Sequence, residues 1–265
     1  MKIKKISLLF LMVFILCILT SCKKNILINE VINREVNYEE NISILDFEDA
    51  LVEATKIAQE SSIGLRAKVE TALISSESFG SAVIIKATKI NDNNYEYYAL
   101  TNRHVVLTSA GNKRNIYVTF PNAEEIKAQI ITYDTSIDIA IIKFESNRNL
   151  KPAKIQLENI DEGRYVIAIG NPYDIDKYYN SVTIGNISYV NRLIKEKDTN
   201  EKDINNIYIQ HTAALNSGSS GGGLYNIKGE LIGINAWKIA SEEVEGMNFS
   251  IPMSEIYTKY IKYFQ

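Results

Sequence analysis

The chain has 265 residues, of which 46% are hydrophobic and 23% charged, with a formal net charge of −3. That composition is ordinary for a globular protein and supports a sizeable core in one large domain or two smaller ones. The mildly acidic balance speaks against nucleic acid as a partner, since such proteins usually show a basic patch.

The N-terminus reads as a targeting segment. Lys2, Lys4 and Lys5 make a positive start, and residues 8–19 form an apolar run too short to span a membrane comfortably. The run ends Leu19-Thr20-Ser21-Cys22, which resembles a bacterial lipobox. The resemblance implies a lipoprotein signal peptide over 1–21, cleavage before Cys22, and lipid on its thiol and new amine, hence membrane attachment. Cys17 then leaves with the signal and Cys22 carries the lipid, so the folded part has no disulfide, no thiol chemistry and no Cys/His cluster for zinc. No metal or other cofactor is expected. Residues 22–45, rich in Asn and Glu, read as a flexible tether.

The first periodic segment is a helix over 46–58. Phe47, Ala50, Leu51, Ala54, Ile57 and Ala58 recur at helical spacing, and Asp46 suits the cap. Strand signals follow at 83–87, 95–100, 116–120, 126–132 and 139–144, with turns at 91–94 and 109–112. A connector containing Pro152 covers about 145–160. A second set of strands lies at 165–169, 181–190, 207–212, 223–225, 231–236 and 247–251. The polar stretch 191–206 reads as a surface hairpin or loop, and 254–264 as a closing helix with Ile256, Tyr260 and Ile261 on one side. Two strand sets, about 63–150 and 161–252, fit an all-β fold of two antiparallel barrels within a domain of 46–265.

The most informative stretch is Leu215-Asn216-Ser217-Gly218-Ser219-Ser220-Gly221-Gly222-Gly223-Leu224. A reactive Ser needs a tight turn whose backbone N–H groups face the oxyanion it creates, and glycine permits such a turn. A plain Gly/Ser-rich surface turn has the same composition. Only two histidines exist. His104 follows a strand-like run in Thr101-Asn102-Arg103-His104-Val105-Val106, and Asp138 opens the apolar run Ile139-Ala140-Ile141-Ile142. Gly218 to Gly222 matches a G-x-S-x-G elbow, but that hydrolase fold needs a His after the Ser, and none follows. The subtilisin order needs Asp before His, and Asp46, Asp49 and Asp92 lack a comparable strand-end context. The order His104, Asp138, Ser220 is that of the chymotrypsin-like double β-barrel.

The chain resembles the protease domain of the HtrA/DegP group of trypsin-like serine proteases over about 62–256. The blocks that carry the likeness, in family order, are Gly80-Ser81-Ala82-Val83-Ile84-Ile85, the His104 motif, the Asp138 motif, Ile169-Gly170-Asn171-Pro172-Tyr173, Ser181 through Ser188, Ala213-Ala214-Leu215-Asn216 before the Ser motif, and Gly246-Met247-Asn248-Phe249-Ser250-Ile251-Pro252. The resemblance implies a serine endopeptidase acting on polypeptides, with unfolded or damaged envelope proteins as substrates. Ser220 would be the nucleophile, His104 the base and Asp138 its orienting carboxylate, with the N–H groups of Gly218 and Ser220 as oxyanion donors. Ser217 and Ser219 are rival nucleophiles, but only Ser220 precedes Gly-Gly as the family's Ser does. Asp134, in the turn-like Tyr133-Asp134-Thr135-Ser136, is the rival carboxylate, and His211 reads as structural.

Ala214, six residues before the nucleophile, would floor the specificity pocket. Without a charge there, apolar residues before the cut are expected. Asn235 and Ala236 lie where the family pairs a substrate strand, and Trp237 suits ordinary packing equally well. Residues 173–180 are the candidate gating loop. The resemblance admits a homotrimer through the N-terminal region, and the chain leaves no room for the PDZ domain common in the family. It departs from the family at Ser219, usually Asn, and at Gly223, usually Pro; Gly223 is expected to loosen the oxyanion loop. Two other readings stand beside the protease: a peptide-binding double barrel without turnover, and a lipoprotein with a coincidental triad.

Overall fold

The computed structural model describes residues 44–70, 75–109, 111–121, 124–172, 175–197, 202–238 and 246–265. The expected signal peptide, Cys22 and nearly all of the tether lie outside them. Helix α1 (Ile44–Gln59) leads into six strands: β1 (Ser62–Glu70), β2 (Ser75–Asn91), β3 (Asn94–Thr101), β4 (Asn115–Phe120), β5 (Glu124–Tyr133) and β6 (Ala140–Ser146), with the one-turn helix α2 (Arg103–Val106) after β3. Six more follow: β7 (Tyr165–Gly170), β8 (Ser181–Lys197), β9 (Asp203–His211), β10 (Gly223–Asn226), β11 (Leu231–Lys238) and β12 (Asn248–Pro252). Helix α3 (Ile175–Tyr178) precedes β8, and α4 (Met253–Tyr260) with a final 3-10 turn closes the chain.

Each set of six closes into a barrel, in the orders β1-β2-β3-β6-β5-β4 and β10-β11-β12-β9-β8-β7. Every pairing within them is antiparallel. The expected double barrel is therefore present.

The two-residue period of a strand explains how the barrels meet. Ala82, Ile84, Ala99, Ala140 and Ile142 fill the first barrel, and Val166, Ala168, Ile187, Ile209 and Ile232 fill the second. Their neighbours in sequence point the other way: Val83, Ile85, Leu100, Ile139 and Ile141 join Ile167, Ile169, Tyr225, Ile234 and Ile251 in one core between the barrels. Strands at this junction are covered on both faces. That is why 139–142 reads as an unbroken apolar run rather than an alternation. Each fully buried Ile contributes roughly 2 kcal/mol. The largest apolar cluster thus sits where the barrels touch, and it fixes the loops that emerge beside it.

Several boundaries differ from expectation. Asp46 lies in the first turn of α1 rather than capping it. Strand β2 starts at Ser75, not 83, because its polar opening residues, 75–78, pair with β1 through the backbone and carry no apolar side chain. The stretch 191–206 is a hairpin, with β8 and β9 paired out to Lys197 and Asp203. The last helix tightens after Tyr260, so Ile261 is exposed rather than aligned with buried Ile256. No helix among the described residues is long and apolar enough to cross a membrane.

Candidate active site

His104 and Asp138 are brought together where β3 ends and its partner β6 begins. Ile137 and Ile139 are buried on either side of Asp138, and its backbone carbonyl accepts bonds from Asn102 Nδ2 at 2.9 Å and from the Arg103 N–H at 3.2 Å. Its carboxylate takes the backbone N–H of His104 on Oδ1 at 3.0 Å and meets His104 Nδ1 with Oδ2 at 2.5 Å. Arg103 Nε stands 3.7 Å from Oδ1. Two bonds to one carboxylate fix the imidazole plane and give Nδ1 the proton, leaving Nε2 free as an acceptor. The His104 side chain is 47% exposed, so that nitrogen is reachable.

Asp134 does something else. Its Oδ1 accepts the Ser136 N–H at 2.7 Å, the Ser136 hydroxyl at 2.6 Å and the Ile137 N–H at 3.3 Å, and its Oδ2 accepts Tyr260 Oη at 3.2 Å. It shapes the turn before Asp138 and ties α4 to the first barrel.

The Ser220 turn is clamped from both barrels. Gly218 and Gly221 have φ of +93° and +84°, the left-handed region that favours glycine. At Gly221 a Cβ would stand 2.2 Å from Ser81 O and 2.3 Å from Thr101 Oγ1. Ser81 N–H donates to Ser220 O at 2.9 Å, and Ser81 Oγ donates to Gly218 O at 2.8 Å. From the second barrel, Gly221 N–H donates to Asn235 O and Asn235 N–H to Gly222 O. Among the described residues, no hydrogen bond uses the backbone N–H of Gly218 or of Ser220. Two unspent donors on one tight turn suit a developing oxyanion.

His104 and Ser220 share the wall of a cavity of about 310 Å³ with Leu215, Asn216, Ser217, Ala236 and Trp237. The Ser220 hydroxyl donates to Ala236 O at 3.1 Å rather than to His104. A larger cavity, about 590 Å³, lies across the Leu215–Asn216 segment, which lines both. Ala214 lines this second cavity and not the one holding His104 and Ser220.

Asn235 lines the larger cavity, as Ala214 does, and also supports the nucleophile turn. Both its backbone groups hold the nucleophile turn, and its buried amide donates to Ile169 O and Gly223 O. Ala236 differs because the β11 register shifts between Asn235 and Trp237, and such an irregularity re-aims the backbone. Trp237 stacks on Phe249 at 4.3 Å between ring centres and meets Tyr208 edge-on, so it packs as well as lining the cavity. Ser219 is buried, with its Oγ accepting the Asn216 N–H at 3.3 Å. Ser217 is exposed on the cavity wall. His211 is fully buried, its Nε2 3.0 Å from Ser250 Oγ.

Gly223 does not loosen the turn. It is buried in β10, paired with both Ile169 and Ile234, and the Tyr225 ring folds over it, so that a Cβ would come within 2.3–2.5 Å of ring atoms. Glycine here makes room for Tyr225, whose Oη bonds Ser61 Oγ at 3.0 Å. The expectation of added backbone freedom is corrected by that packing. Of the candidate gating loop, Tyr173 and Asp174 lie outside the described residues.

Sequence reasoning assigned no role to Ser81, Thr101, Asn102, Asn171 or Asn180. Each acts through hydrogen bonds set by tertiary structure, and nothing in residue type or spacing marks them.

Comparisons with known proteins agree with this fold. The family model "Trypsin-like peptidase domain" matches residues 80–234, more than half of the chain. A probable periplasmic serine endoprotease, DegP-like, from Buchnera aphidicola is 39% identical over 175 residues, covering 65% of this chain and 33% of the relative. The serine protease Do-like HtrA of Bacillus subtilis is 34% identical over 179 residues, covering 67% of this chain and 37% of the relative. The solved structure of the HtrA-type protease AlgW, a Ser-to-Ala variant with a tripeptide, superimposes with a TM-score of 0.62 at 29% identity, over 80% of this chain and 62% of that one. The matched region spans about a third of the length of these curated relatives.

Proposed function

The chain belongs to the trypsin-like peptidase family, and we propose that it is a serine endopeptidase of the HtrA type. Ser220 Oγ attacks the scissile carbonyl carbon while His104 Nε2 takes its proton. The carbonyl oxygen becomes an oxyanion received by the N–H groups of Gly218 and Ser220, and Asp138 stabilises the imidazolium. Collapse breaks the C–N bond as His104 returns the proton to the leaving amine. Water, activated by the same His104, then hydrolyses the acyl-enzyme.

The observation that carries this reading is the single cavity walled by both His104, already bonded to Asp138 at 2.5 Å, and Ser220, beside two unspent backbone donors. The hydroxyl is bonded to Ala236 O in this state, and catalytic bonds commonly tighten only with substrate. Substrate would be unfolded or damaged envelope polypeptide with an apolar residue before the cut, since no Asp, Glu, Lys or Arg among the described residues lines the cavity. Ala236, on the same cavity wall, would offer its backbone to an incoming strand. Export and anchoring through Cys22 complete the reading; the Buchnera relative's name places that protein in the periplasm.

Labelling with a fluorophosphonate probe tests it. Wild type takes the label on Ser220, and Ser220→Ala and His104→Ala lose it. A second reading, a peptide-binding double barrel without turnover, draws on the Ser220 bond to Ala236 O. Peptide binding by an unlabelled wild type, even with unfolded protein present, would select it.

A further inference from the structure

The clamp on the nucleophile turn continues beyond Ser81. Ser81 Oγ, fully buried, donates to Gly218 O at 2.8 Å and itself accepts the Asn171 N–H at 2.8 Å and Asn171 Nδ2 at 3.3 Å. Asn171 is also fully buried and anchors to the first barrel through Nδ2 on Ile63 O at 3.1 Å. Its Oδ1 accepts the backbone N–H of Asn180 at 2.9 Å. Asn180 is held at φ +51°, a conformation Asn tolerates better than most residues. It exchanges two bonds with the last residue of α1: Gln59 Nε2 donates to Asn180 O at 3.1 Å, and Asn180 Nδ2 to Gln59 O at 3.3 Å.

These contacts form one unbroken series from the end of α1, through the segment that leads into β8, to the carbonyl of Gly218. The hydroxyl of Ser81 has one proton, and it is spent on the turn. Its acceptor capacity is spent on Asn171. Removing either partner leaves a fully buried polar group unsatisfied, which is costly, so the series holds as a unit. Gly218 and Ser219 share the peptide plane that Ser81 fixes at one end, and the Ser219 N–H, bonded to Asn216 O at 2.8 Å, fixes it at the other.

We propose that Ser81 and Asn171 are positioning residues for the Ser220 turn, and that through Asn180 they make its alignment depend on the docking of Gln59 at the end of α1. The catalytic consequence rests on the protease reading above; the mechanical coupling does not.

The test pairs two measurements on the full chain, wild type beside Ser81→Ala, Asn180→Gly and Gln59→Ala. Hydrogen exchange is followed in residues 216–222 and, as a reference, in 203–211. Turnover of a peptide substrate is resolved into kcat and KM. Asn180→Gly keeps the backbone bonds and suits the positive φ, so it deletes only the side-chain contact. Gln59→Ala is remote from every reacting group. The expected result is faster exchange in 216–222 in all three, by about 2- to 10-fold for Gln59→Ala, the factor one ordinary hydrogen bond is worth. Exchange in 203–211 stays at the wild-type rate. For Ser81→Ala, kcat falls about 10- to 100-fold, as expected when a reacting group is displaced by a fraction of an ångström, and KM holds. Unchanged exchange in 216–222 for Asn180→Gly and Gln59→Ala overturns the coupling, as does a rise of equal size in both segments, which is general loosening. A wild type without turnover would refute the protease reading and leave the exchange comparison to decide the coupling.

Discussion

Acid should loosen this fold through one residue. His211 is wholly buried in β9, with Nε2 on Ser250 Oγ, which in turn donates to Asn235 Oδ1. Burial lowers its pKa from the ordinary 6.5 to about 4, against a smaller raising effect of the backbone at Ala213. Because the folded value lies below the unfolded one, the unfolded chain takes up the proton first. Stability is therefore intact above pH 6.5, declines as pH falls, and levels off below about 4. The gap of 2.5 units corresponds to a total of about 3 kcal/mol, of which about 2 kcal/mol is already lost between pH 7.5 and 5. In a domain of this size that is a drop of roughly 4–8 °C in Tm. The assay is thermal melting of wild type and His211→Gln across pH 7.5 to 4. Gln cannot titrate, so its lower starting Tm should fall less steeply, and carboxylates common to both cancel in the difference. Parallel curves would refute the reasoning, since they would mean that His211 does not protonate differently in the two states.

Asp138→Asn should lower kcat by about 10⁴-fold with little change in KM, because the amide cannot hold Nδ1–H and stabilise the imidazolium; steady-state kinetics on a peptide read this. Asp134→Ala should instead lower stability by about 2 kcal/mol in urea unfolding while Ser220 labels at the wild-type rate, since Asp134 holds a turn and α4. Gly223→Pro, which restores the family's residue, should destabilise by about 3 kcal/mol through collision with the Tyr225 ring. Adding Tyr225→Leu should recover part of the loss in the same unfolding assay, and independent losses that simply add would show that the ring is not the obstacle.

The double barrel was legible because its strands are marked by two patterns that survive in one dimension, alternation within a barrel and unbroken apolar runs at the junction. Strand 139–142 is the clearest case. The polar opening of β2 was not legible, because hydrogen-bonded pairing with β1 needs no apolar side chain. His104, Asp138 and Ser220 stood out by chemistry and order, and the structure sets the first two in contact and all three beside the junction. The roles of their supports did not stand out. That Asn235 also holds the turn could not be read from the sequence, since the irregularity after it is a property of the β11–β12 register. Gly223 could not be understood without Tyr225, two residues on, because a strand places residues i and i+2 on one face and only packing shows which of them yields. Ser81 illustrates the limit: a small polar residue in an apolar strand looks like a gap in the pattern, yet its hydroxyl and backbone meet both ends of the nucleophile turn.

The most direct measurement is hydrolysis of an unfolded polypeptide by the purified chain beside Ser220→Ala, with the new termini read by mass spectrometry. The account predicts cuts after apolar residues by wild type and none by the variant. Equal cleavage by both, or intact substrate in the presence of wild type that carries the fluorophosphonate on Ser217, would contradict it.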